Sequence, residues 1–149
     1  MTTARLLQMS GVIVDLIYRV NAVPLAGDEA VVTGFDLTAG GGFNAMVAAR
    51  QAGIDVTYGG AVGTGPFGDI ARRALAGAGI DILHPRDDRQ DQDQGLCTVL
   101  VDDDGERTFI SREGAEGHCT VESMPSLETA DFDWILLSGY ALSYTGNQH

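Results

Sequence analysis

Three consecutive glycines, Gly40, Gly41 and Gly42, precede Phe43 and Asn44 and run into an alanine-rich stretch that reaches Gly53. Glycine admits backbone conformations closed to other residues and lets a ligand approach the main chain closely. Between Asn44 and Gln51 there is neither Gly nor Pro, which predicts a helix with a glycine stop. A glycine-rich turn feeding a helix start offers free N–H groups and the positive end of a helix dipole to a polar ligand. The chemistry expected here is the binding of such a ligand. Metal chemistry is not supported: Cys97 and Cys119 stand apart, and His84, His118 and His149 share no ligand spacing. Cys97 lies in an alternating apolar run and reads first as a small strand residue.

Several elements must position this turn. Leu6 to Val20 opens with an apolar, β-branched run that predicts a buried strand followed by a loop carrying Asp15. Pro24 and Gly27-Asp28-Glu29 mark a turn, and Ala30 to Leu37 reads as an edge-like strand leading into the glycines. Ile54 to Gly63 is the next short strand, so strand, helix and strand in this order predict a parallel crossover. Asp69 is placed to cap a second helix over Ile70–Ala76, which stops at Gly77 or Gly79, and Ile80–Leu83 is a further strand. Residues 87–94, almost wholly Asp, Gln and Arg, read as a solvated loop rather than a carboxylate cluster. Leu96–Val101 and Thr108–Ser111 flank an Asp-Gly pair, a hairpin signal; the aspartates between them lack the ligand periodicity of a calcium loop. Asp133–Tyr140 reads as a buried strand ending in a small-residue loop.

Composition narrows the function classes. With 149 residues the chain can bury the core of one domain. Its net charge of −12, with every one of its nine basic residues an arginine, repels phosphate backbones and disfavours nucleic-acid partners. No apolar run approaches the roughly 20 residues of a membrane span. The N-terminus lacks a secretory pattern, so a cytoplasmic protein with small-molecule or protein partners is expected.

In order along the chain stand Asp15, Gly40-Gly41-Gly42-Phe43-Asn44, Gly53, Val62-Gly63-Thr64-Gly65-Pro66-Phe67-Gly68 and Asp104-Gly105-Glu106-Arg107-Thr108-Phe109. This sequence resembles the N-terminal half of a ribokinase-like (PfkB family) carbohydrate kinase, over nearly its whole length. The resemblance implies an α/β fold: a Rossmann-type parallel sheet with helices, plus a small β-sheet lid built from about residues 30–38 and 96–111. It also implies ATP-dependent phosphorylation of a hydroxyl on a sugar, nucleoside or similar molecule, with a lid that keeps water from the phosphoryl group.

Asp15 matches the family's substrate-binding aspartate, whose carboxylate can accept hydrogen bonds from two neighbouring hydroxyls. Gly40, Gly41 and Gly42 match the glycine motif whose backbone approaches the sugar. Asn44 matches its asparagine, able to donate to and accept from a hydroxyl, and able also to cap the helix. Cys97 and Phe109 fall in the lid strands, where they either face substrate or pack the lid. Ile13 stands where ribokinase carries an asparagine, and Gly41 where it carries a lysine, so the likeness is to the broader family. Met46 replaces a residue that is usually small.

The family's second signature, Asp-Thr-x-Gly-Ala-Gly-Asp, has no counterpart here. Its glycines form an anion hole and its last aspartate is the general base. No catalytic residue is therefore expected in these 149 residues, ATP and Mg²⁺ are expected to serve only the intact enzyme, and the fold should lack its C-terminal half. The exposed edges that this would leave predict a homodimer, through the lid sheets. The alternative is a non-catalytic sugar- or nucleoside-binding module derived from such a kinase.

Overall fold

Ser10 and Gly11 break the first apolar run, and the break divides it between two sheets. In the computed structural model, which describes residues 3–83, 92–118 and 132–144, strand β1 (Arg5–Gln8) lies in one sheet and β2 (Val12–Arg19) in the other. The chain then forms β3 (Gly34–Gly41), helix α1 (Gly42–Gln51), β4 (Asp55–Tyr58), helix α2 (Pro66–Gly77) and β5 (Asp81–Ile82). It ends with the hairpin β6 (Leu96–Val101) and β7 (Arg107–Arg112), a 3₁₀ turn at Ala115–Gly117, β8 (Trp134–Leu136) and α3 (Gly139–Ser143). Cys119, His84, His149 and residues 87–91 of the polar run lie outside the described residues.

The first sheet is parallel, in the order β5-β4-β1-β8. The second runs β3-β2-β6-β7, with β2 and β6 parallel and the outer pairs antiparallel. An α/β body with a second, mixed sheet is the expected architecture. Three local expectations change. Asp15 is not in a loop but in the middle of β2, because alternating apolar residues continue through it to Arg19. β3 and β4 belong to different sheets, so the predicted crossover links β1 to β4 instead. β8 has exposed side chains, with Trp134 at 68 %, since among the described residues it pairs only with β1.

The core between the sheets is Val12 and Ala39 from the second sheet, Val56 and Tyr58 from β4, and Met46, Ala71 and Leu75 from the helices. Met46 is fully buried there, filling space with a side chain that adapts to irregular gaps. The Tyr58 hydroxyl accepts from Val12 N at 3.1 Å and donates to Ala61 O at 3.2 Å, so it joins the sheets at the start of β2.

Both helices start differently from the sequence expectation. α1 follows β3 without a loop: Gly41 is its N-cap at φ +62°, and Asn44 lies inside the first turn, exposed and making no capping bond. α2 is capped at Gly65, with Pro66 in the first turn where its missing N–H costs nothing. Asp69 lies within that turn, and the capping carboxylate is Asp93, which accepts from Phe67 N at 3.2 Å and Gly68 N at 2.8 Å. The end of the polar run is therefore structural rather than solvated, and its Gln94 is fully buried. The hairpin is as predicted. Its turn closes on Asp102, whose carboxylate accepts from Asp104 N and Glu106 N at 3.1 and 3.0 Å.

Candidate functional site

A cavity of about 820 Å³ lies where the C-terminal ends of β1 and β8 meet one face of the second sheet. Strand ends of parallel sheets are where α/β folds place ligands. Side chains alternate along strands, and register brings Asp15 of β2 beside Cys97 of β6, and Cys97 beside Ser111 of β7. These three form one row on the cavity wall, with Ile13 and Phe109 on the same face. The Ser111 hydroxyl donates to Cys97 Sγ at 3.2 Å. Cys97 is buried, whereas Phe109 is largely exposed at the cavity margin. Burial pushes the Asp15 carboxyl above its ordinary value, because desolvation disfavours the charged form.

Each residue of the glycine triplet makes room for a different neighbour. A methyl on Gly40 would stand 2.6 Å from the carboxyl carbon of Asp15. One on Gly41 would stand 2.8 Å from the Gly11 carbonyl, at a backbone conformation that other residues rarely adopt. One on Gly42 would stand 2.6 Å from the Ser10 carbonyl. Gly42 N donates to Gly11 O at 2.9 Å, and Gly42 O accepts from Gln8 Nε2 at 3.1 Å. The Gln8 side-chain oxygen accepts from Ser10 N, so this buried glutamine fixes the link between the sheets against the helix start.

Of the residues expected at the site, Asp15, Gly41, Gly42, Cys97 and Phe109 line the cavity. Gly40 and Asn44 do not. Gly40 sits behind Asp15, and Asn44 is exposed in the first turn of α1, since the helix begins two residues before it. The cavity instead receives the N-terminal turn of α1, through Gly41, Gly42 and Ala45.

Sequence reasoning missed a second polar group. Glu116, only 3 % exposed, also lines the cavity. Its Oε2 accepts from Gly95 N at 2.7 Å and from Gln94 Nε2 at 3.1 Å, and its Oε1 accepts from Gly114 N at 3.0 Å. Burial raises its pKa; the amides of Gly95 and Gly114 oppose that shift, and the nearby charge of Glu113 adds to it. Gln94 in turn donates to Val12 O and accepts from Gly63 N at 2.9 Å. The Tyr144 phenol is held up by burial, by Glu116 and by Glu113. A lone glutamine at the end of an apolar strand marks Gln8 in the sequence, but no local pattern marks Glu116.

The arrangement can grip and orient a hydroxylated ligand. Asp15 supplies acceptors, the first turn of α1 supplies its dipole, and Ile13 and Phe109 supply apolar contact. Among the described residues no group of three or more His, Cys, Asp or Glu side chains gathers to hold a metal ion. None of the described helices is long and apolar enough to cross a membrane.

Residues 7–147 match the model of the pfkB family of carbohydrate kinases. An uncharacterized sugar kinase of Escherichia coli, YegV, is 29 % identical over 143 residues, covering 95 % of this chain and 44 % of that protein. An ATP-dependent ribose-1-phosphate kinase of Halopiger xanaduensis is 38 % identical over 102 residues, covering 67 % and 34 % respectively. Among solved structures, adenosine kinase from Sinorhizobium meliloti superposes with a TM-score of 0.80 at 17 % identity, covering 99 % of this chain and 50 % of that one. Ribokinase from Giardia lamblia gives 0.75 at 22 % identity, covering 90 % and 41 %. The chain thus spans less than half the length of the curated relatives it matches.

Proposed function

The chain belongs to the PfkB family of carbohydrate kinases, with a ribokinase-like fold, and from that premise we propose that it is the sugar-binding half of an ATP-dependent sugar kinase. The observation that carries this reading is the row Asp15, Cys97 and Ser111 facing the α1 N-terminus across one cavity. Asp15 accepts from two adjacent hydroxyls of a sugar or nucleoside, Gly41 and Gly42 let its ring approach the helix start, and Phe109 covers its apolar face. Gly40 acts by making room for Asp15. Asn44 would reach the ligand only by a change in the first turn of the helix.

The residues described here do not fit ATP or Mg²⁺. The chain has no lysine, and its acidic side chains do not gather into a cation site among the described residues. We assign the nucleotide, the metal and the general base to sequence beyond what this chain matches in its longer relatives. This chain alone then binds the acceptor and transfers nothing. The second sheet acts as the lid, one unit with the body in a single kinase domain that works in the cytoplasm. Its outer face carries Tyr18 stacked near Phe35, with ring centroids 5.3 Å apart, and exposed Leu37 and Ile110. That apolar face supports a homodimer through the lid, tested by light scattering of the wild type and of Phe35→Asp.

Isothermal titration of the 149-residue chain with D-ribose, D-fructose, adenosine and ribose 1-phosphate tests the binding reading. Weak binding of one of them, abolished by Asp15→Asn, is expected. Equal affinity in the variant would remove Asp15 from the site. Because the cavity wall is already assembled, a second reading is a binding module; tight binding by this chain without turnover would favour it.

A further inference from the structure

The Glu116 carboxylate touches both feet of the β6–β7 hairpin. Gly95 immediately precedes β6 and Gly114 follows β7 by one intervening residue, and each donates its N–H to a different oxygen of Glu116. Gln94 continues the chain of bonds into the start of β2 and the Gly63 loop. Space is cleared for the carboxyl group: a methyl on Gly11 would stand 2.8 Å from its Cγ, and one on Gly95 would stand 2.6 Å from its Cδ.

We propose that Glu116 is a positioning residue, whose ionised carboxylate ties both feet of the hairpin together and, through Gln94, to the Gly63 loop of the body, and so holds the hairpin that carries Cys97 and Phe109 in place over the cavity. Only an acceptor with no hydrogen of its own satisfies three converging donors. A glutamine of the same shape would turn its NH₂ toward Gly95 N or Gly114 N. The charged groups that face Glu116 are Glu113, on the same segment, and the Tyr144 phenol. Among the described residues the Arg112 side chain donates to Gln94 O, at 3.4 Å, and not to Glu116. Its described partners are thus amides, and amide bonds to a charged acceptor are about twice as strong as neutral ones.

For its effect on the ligand this inference rests on the sugar-binding reading, but the clamp has readouts that need no ligand. In the wild type, the amide protons of Gly95 and Gly114 should shift together, with one midpoint, as the carboxyl protonates. Glu116→Gln should abolish that titration. It should also lower hydrogen-exchange protection across residues 96–112 by about tenfold to a hundredfold, the range for losing a bond to a charged group. Protection in β1 and β4 should stay unchanged. Wild-type glycine amides that do not co-titrate, unchanged hairpin protection in Glu116→Gln, or equal loss in hairpin and body would each overturn the proposal. Should Glu116→Gln fail to fold, the wild-type titration decides alone. Failure of every sugar to bind would leave these readouts intact and would count only against the binding reading.

Discussion

Replacing Gly40 with alanine separates the site from the fold. Gly40 is in β3 and is not among the glycines with positive φ, so its backbone accepts alanine. Losing glycine's freedom in the unfolded chain should stabilise the protein by about 0.4–1 kcal/mol at a compatible position. The new methyl, however, would stand 2.6 Å from the carboxyl carbon of Asp15, about 1 Å inside an ordinary contact of roughly 3.5 Å. The strand backbone on both sides is paired, so the Asp15 side chain must yield. It can swing only toward the cavity, where water solvates it. Its raised pKa should then fall back toward the usual carboxylate range, a change read from the pH titration of its carboxyl carbon by NMR. A displacement of 1 Å should also break one of the two hydrogen bonds to a bound diol. A bond to a charged group contributes about 1.5–3 kcal/mol, so affinity should fall about tenfold to a hundredfold while thermal stability is kept. A Gly40→Ala protein with the wild-type Asp15 titration would refute this reasoning, whatever its affinity.

Asp15 has a pKa raised by burial, so the folded state holds its proton more tightly than the unfolded state. Its contribution to stability is fully present below the ordinary value of 3.8 and is lost as pH rises through the folded value. Asp15→Asn should therefore raise stability at neutral pH and flatten the pH dependence of urea denaturation; an unchanged slope would count against the burial of Asp15. Leu75→Ala, in the fully buried face of α2, should cost about 2–5 kcal/mol in the same assay, and a loss below about 1 kcal/mol would mean the core is misplaced. Tyr58→Phe leaves Val12 N and Ala61 O without their partner and should cost about 1–3 kcal/mol, although it keeps nearly all the apolar contact.

The elements most legible in the sequence were those fixed by local chemistry. Asp-Gly between β-rich runs predicts the hairpin, whereas α2 starts at Pro66 and not after Asp69, because proline at the first helical position needs no N–H partner. Asp15 is expected in a loop and lies in β2, since periodicity is blind to a change of sheet. The two-residue break at Ser10 and Gly11 separates strands that composition makes look like one. Asn44 is expected to cap the helix and instead lies inside its first turn, because β3 runs into the glycines rather than ending before them. Gln94 and Glu116 were invisible for a different reason. Their bonds join residues 82 and 22 positions apart in the chain, and nothing local distinguishes them from surface side chains.

Only Met9, Ser10 and Gly11 separate β1 from β2, and the chain carries Asp15 out of the parallel body in crossing them. On the proposed reading, with the second sheet as lid and Asp15 as the ligand's anchor, that anchor is mounted on the cover rather than on the floor. For a cover that opens, ligand capture and closure become one thermodynamic event: the apparent dissociation constant is the intrinsic one divided by the closed fraction. Substitutions at the short link that make no contact with the ligand should then behave as affinity mutations, scaling every ligand's binding by the same factor. Substitutions in the row beside Asp15 should reorder ligands instead.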